Sequence, residues 1–91
     1  SIVLDELTEC IPVGNSGEDI GESVALSEAL SRFLRTLPQK TRNIFVRRYF
    51  YMSSVAEIAR DFSMKENNVT MYLLRTRKKL EQYLKKEGFD I

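Results

Sequence analysis

SVAEIARDFSMKENNVTMYLLRTRKKL, residues 54 to 80, reads as two helices set at an angle, the second with two chemically different faces. In the first half Val55, Ile58, Ala59 and Phe62 recur at i, i+3, i+4 and i+7, which stacks apolar side chains along one stripe of a helix. Ser54, followed three residues later by Glu57, makes a capping box that fixes where this helix begins. Ala59 is small enough to let two steeply crossing backbones approach. Phe62, Ser63 and Met64 then form a short turn whose two large apolar residues can point back to the core. The second helix starts at Lys65 or Glu66. On its wheel Val69, Leu73, Thr76 and Leu80 share one face, while Asn67, Thr70, Met71, Leu74, Arg75 and Lys78 lie on or toward the other. One face packs, and the other is offered to something outside the chain.

The offered face carries amide, hydroxyl and apolar groups near its N-terminus and charge later, in Arg75, Arg77, Lys78 and Lys79. That order suits a helix whose first turns meet base edges while later cations sit near phosphates. A basic amphipathic helix by itself is equally well a solvated surface. The capped partner helix and the short turn between them favour a helix-turn-helix.

The composition, 91 residues with 43% apolar and 30% charged, suits one small domain with a modest core. No apolar run approaches the roughly 20 residues needed to span a bilayer, and the start has neither the basic segment nor the apolar core of a signal peptide. An intracellular, cytoplasmic protein with no membrane partner is expected. The lone Cys10 has no partner for an internal disulfide, and without histidine there is no zinc constellation, so Cys10 reads as a small apolar residue. No cofactor is implied. The net charge of +1 conceals an asymmetry: residues 1 to 31 hold seven acids and no base, and residues 32 to 91 hold fourteen bases and six acids. An acidic head on a basic body points to a polyanion-binding domain preceded by a segment of different purpose.

In chain order, residues 1 to 19 divide into an apolar and acidic piece around Ile2 to Ile11 and a loop-like Pro12, Gly14, Asn15, Ser16, Gly17 cluster. They are read as a flexible acidic linker, cut from something longer, before a domain at 20 to 91. A helix over about 20 to 36 places Leu26, Leu30, Phe33, Leu34 and Leu37 on one face and ends before Pro38. The next, from Pro38 to about Tyr51, carries Ile44, Phe45, Tyr49 and Phe50 for packing, with Lys40, Arg42, Arg47 and Arg48 as a basic rim. With helices near 54 to 62 and 66 to 86, the expected fold is an all-α, four-helix domain with no sheet, a helix-turn-helix and a long C-terminal recognition helix. Gly88 ends it as a C-cap, and Lys85 and Lys86 suit the negative end of its dipole.

The run from Leu37 to Leu84 resembles region 4 of bacterial RNA polymerase sigma factors, especially the small extracytoplasmic-function kind. The resemblance rests on the Leu37-Pro38 opening, the Phe45 to Phe50 helix, the Glu57-Ile58-Ala59 core and the Val69, Leu73, Arg75, Arg77, Leu80 ending. It implies a domain that docks on the beta-subunit flap of core polymerase and reads the upstream, minus thirty-five, promoter element of double-stranded DNA in the major groove. Carried over by position, the base readers are Glu66, Asn67, Thr70 and Met71, with Asn68 and Leu74 at the edge, and the backbone contacts are Lys40, Arg42, Arg75, Arg77 and Lys78. Lys65 stands where the family has a Ser or Thr cap, Ser63 where glycine is common, and Met71 and Leu74 where polar groups are usual. Nothing resembles the promoter-melting region, so this chain would be one recognition domain of a larger factor.

Two other classes compete. An anti-sigma factor is a further partner that the resemblance implies, and a helix-turn-helix can also serve purely as a dimerisation or docking module; Met71, Leu74 and the Phe50-Tyr51-Met52 run suit that use. An enzyme fits worst, because there is no glycine-rich phosphate loop and no nucleophile-base pair, and Asp61 and Glu66 read as helix-end charges.

Overall fold

A computed structural model of the chain describes residues 2–11 and 20–90. Among these residues are five helices, α1 (Ile2–Thr8), α2 (Ile20–Thr36), α3 (Gln39–Tyr49), α4 (Val55–Asp61) and α5 (Glu66–Lys86), and no strand. The all-α expectation and its four helices are met within a residue or two. The fifth helix, α1, lies in the acidic segment whose composition suggests a linker, and the expected Pro12 to Gly17 loop lies outside the described residues.

Helix α5 is the spine. Helices α2, α3 and α4 all pack on it, and α1 packs on α3. Its apolar stripe runs Val69, Leu73, Leu80 and Leu84, all buried, with Thr76 among them. The Thr76 hydroxyl is tolerated there because it donates to the Tyr72 carbonyl at 2.7 Å. Ile58 and Val69 are fully buried where α4 crosses α5, and Ala59, 5% exposed, supplies the small contact expected of it. Burial of an Ile or Val side chain of this kind stabilises by roughly 1.5 to 3 kcal/mol. Toward the C-terminal end of the same face of α5, Phe33 of α2 meets Phe45 of α3 edge-on at 6.5 Å and Tyr83 of α5 at 5.5 Å, so one ring ties three helices. Ala29, also fully buried, lies within the α2 stripe, three residues after Leu26 and four before Phe33, and joins the expected set.

The helix ends follow the local chemistry. Ser54 accepts from the Glu57 amide at 3.1 Å while Glu57 accepts from the Ser54 amide at 3.0 Å, which completes the capping box. At the far end of α4 the Met64 amide reaches the Ala59 carbonyl and the Ser63 amide the Arg60 carbonyl, with Ser63 at φ 54°. This is a Schellman turn with serine where glycine is easiest. The same pair of bonds ends α5, where Glu87 is the cap and Gly88 takes φ 95° just after it. Pro38 is the N-cap of α3, outside its first turn, and Lys65 is the N-cap of α5 without a side-chain capping bond.

Two residues of α3 depart from the expected pattern. Ile44, Phe45 and Tyr49 are buried, but Phe50 is 53% exposed, because it is the C-cap and lies about 100° round the helix from Tyr49. Its place on the buried face is taken by Arg48, expected in the basic rim and only 8% exposed. Arg48 sits four residues from Ile44 and three from Phe45, so it shares their face, and a buried guanidinium there requires a partner.

Candidate nucleic-acid interface

That partner comes from α1. Glu6 accepts from Arg48 through both oxygens, Oε2 from Nη2 at 2.7 Å and Oε1 from Nε at 3.3 Å, while Arg48 Nη1 donates to the Ser53 carbonyl at 3.0 Å. The Tyr49 hydroxyl donates to Glu6 Oε1 at 2.9 Å and accepts from Arg77 Nη1 at 2.6 Å, and the same Arg77 nitrogen lies 3.5 Å from Glu6 Oε1. Four side chains from three helices thus form one closed network, bidentate at Arg48. Burial raises the Glu6 carboxyl, but the hydrogen bonds from Arg48 and Tyr49 and the charges of Arg48 and Arg77 outweigh it and hold the group below its ordinary value. Burial pushes the Tyr49 phenol well up, so it stays protonated and able to donate. Cys10 is buried at the foot of α1, where burial pushes its thiol to about 11 and it donates to the Leu7 carbonyl at 3.2 Å. It behaves as the small apolar residue expected.

The offered face of α5 divides in two. Glu66, Asn67, Asn68, Thr70, Met71 and Arg75 are exposed, Met71 at 41%. Asn67, Thr70, Met71 and Leu74 follow one another at helical spacing along a single stripe, and Lys78 continues it. Leu74 is half-buried, and it lines a cleft of about 240 Å³ with Glu9 and Cys10, just after α1, and with Arg77, Lys78 and Glu81. Lys78 is exposed at that cleft. Arg77 departs from the set. Its side chain is 15% exposed and turned toward Tyr49 and Glu6, so in this arrangement it does not present a free cation beside Arg75 and Lys78.

Lys40 and Arg42 come from the first turn of α3, beside α5. The Lys40 ammonium stands 5.5 Å from the centroid of the Tyr72 ring, which holds it against the recognition helix, and Arg42 is half-buried. Tyr72 was not singled out in the sequence, although its place between Met71 and Leu73 put it on the border of the two faces. Asp61 accepts from Arg47 of α3 at 2.7 Å and from Arg60 at 3.1 Å, and both lower its carboxyl below the ordinary value. Its work is to tie α4 to α3. Among the described residues no cluster of histidine, cysteine and carboxylates could hold a metal ion, and no helix is long and apolar enough to cross a membrane.

A capped short helix, a turn through Ser63 and a long helix with an uncommitted polar N-terminal half make a helix-turn-helix. No curated protein and no solved structure matches the chain. The family model for sigma-70, region 4, matches residues 27–80, which takes in most of α2, all of α3 and α4, and α5 as far as Leu80. By that match, over more than half of its length, the chain belongs to the sigma-70 region 4 family.

Proposed function

We propose that this domain reads the upstream, minus thirty-five, promoter element with the first half of α5 and docks on core RNA polymerase through its beta-subunit flap during transcription initiation. The observation that carries the reading is the exposure of Glu66, Asn67, Asn68, Thr70 and Met71 on a helix whose opposite face is anchored by Val69 and Leu73. An anchored helix can hold such groups in the major groove at fixed register. Asn67 pairs with adenine, Glu66 accepts from cytosine N4, and Met71 or Leu74 meets the thymine methyl. Lys40, Arg42, Arg75 and Lys78 lie on phosphates. Selection of duplexes from a randomised pool tests this: a common motif should emerge, and Asn67→Ala should relax it at one position at a loss of roughly 1 to 3 kcal/mol of discrimination. A pool recovered without any common motif would remove the base-reading role.

A second reading rests on Phe50, Tyr51 and Met52, which are 53%, 72% and 48% exposed at the α3 to α4 turn. Here the domain acts as a protein-interaction module, gripped by an anti-sigma factor or by a second copy. Binding through this patch resists salt, whereas binding through phosphates weakens steeply with it.

A further inference from the structure

Helix α1 sets an acidic segment against the basic half of the recognition helix. Glu6 accepts from both Arg48 and Arg77, and Glu9, almost one turn on, lines the cleft that contains Arg77 and Lys78. Helix α1 is seven residues long, has no fully buried residue within it, and reaches the core through the half-buried Val3 and Leu7 and through Cys10 just after it. A helix of that length has little stability of its own, so its seating depends on these few contacts and on the charges. The Arg48, Tyr49 and Arg77 cluster offers guanidinium and hydroxyl donors to any oxyanion, and a carboxylate and a phosphate differ little to such donors. Removing Glu6 leaves two uncompensated cations, one of them on the same helix as the proposed DNA contacts.

We propose that Arg48, Tyr49 and Arg77 form an oxyanion socket that Glu6 fills from within the chain, and that a backbone phosphate of bound duplex takes Arg77 when α1 lifts away. The chain thus carries its own competitor for one phosphate contact, and α1 sets how tightly the domain holds DNA of any sequence. This rests on the DNA-binding reading but not on the identity of the promoter element, because a phosphate contact carries no sequence information.

The experiment measures binding of a short duplex of mixed sequence as a function of salt for the full chain, for Glu6→Gln and for Glu6→Gln with Arg77→Ala, with thermal melts to verify that each is folded. Glu6→Gln should bind more tightly than the parent, and its slope of log affinity against log salt should be steeper by about 0.9, the signature of one added phosphate contact. The tightening should shrink about threefold between 50 and 200 mM salt. Adding Arg77→Ala should return the slope to the parent's. Equal slopes for the parent and Glu6→Gln would overturn the proposal, as would a steeper slope that survives loss of Arg77, since that would be a general effect of deleting an acid. If Glu6→Gln does not fold, Leu7→Ala loosens α1 without touching the polar cluster and should steepen the slope in the same direction. A parent and variants that bind no duplex at all would overturn the DNA reading itself and this inference with it, whereas binding with equal slopes would overturn the inference alone.

Discussion

Helices α1 and α4 are both seven residues long, yet they are held by different means. Helix α4 is secured from within its own stretch of chain and by the next helix: a capping box at Ser54 and Glu57, a Schellman turn at Ser63, and Ile58 and Ala59 pressed onto α5. Helix α1, by contrast, is tied to the fold by side chains that reach far along the chain. Its strongest attachments are from Glu6 to Arg48, Tyr49 and Arg77, which are 42, 43 and 71 residues away. The contrast separates a helix-turn-helix held by packing and caps from an attachment made largely by charge. It also orders what substitutions should do.

The largest effect is expected at Ile58, fully buried between α4 and α5. Ile58→Ala should destabilise by roughly 2 to 5 kcal/mol, a large share of a small domain's stability, and DNA binding should fall only as folding falls. A melting temperature equal to the parent's would mean that α4 is not secured by this contact.

Next comes Glu6. Replacing it by Gln leaves Arg48 buried without a counter-charge and should cost about 1 to 3 kcal/mol. The pH dependence gives this contribution a sign. Because the folded-state carboxyl lies below its ordinary 4.5, its stabilisation is present above that value and is lost as pH falls through the folded value. Between about pH 5 and pH 3 the parent should therefore lose more stability than Glu6→Gln does. Parallel curves in acid titrations followed by circular dichroism would show that the charge of Glu6 does not hold α1.

Smaller still is the cap. Ser54→Ala removes the acceptor for the Glu57 amide and should cost about 1 kcal/mol by denaturant melt, with no change in the slope of DNA binding against salt. The smallest change should be a gain. Ser63 holds φ 54°, a conformation that disfavours a side chain by roughly 1 to 2 kcal/mol, while glycine costs about 0.5 to 1 in chain entropy. Ser63→Gly should then stabilise by about 0.5 kcal/mol. A clear loss would mean that the serine side chain is used where it stands.

The same contrast explains what could be read from the residues alone. The Ser54 box, the Val55 to Phe62 stripe and the Val69, Leu73, Thr76, Leu80 face are written in neighbours three and four apart, so α4 and α5 were legible to within a residue. The Val3, Leu7, Cys10 spacing of α1 was present but spans too few turns to stand as a helix without its distant partners. Arg48 could have been placed by its position on the Ile44 and Phe45 face, and Phe50 excluded by its own. The inward turn of Arg77 had no local sign, since its partners Glu6 and Tyr49 lie 71 and 28 residues away and only the fold brings them together. Thus the exposed first half of the recognition face followed from periodicity, and the withdrawal of Arg77 from its second half did not.

The most direct test of that face is an NMR titration of the labelled chain with a duplex carrying the motif selected from the random pool. Amide shifts should move first and furthest from Glu66 to Leu74, with smaller changes at Lys40, Arg42, Arg75 and Lys78, and Phe50 to Met52 should stay still. Changes centred on Phe50, Tyr51 and Met52, with Glu66 to Leu74 unmoved, would place the partner on the α3 to α4 turn and contradict the reading of DNA by α5.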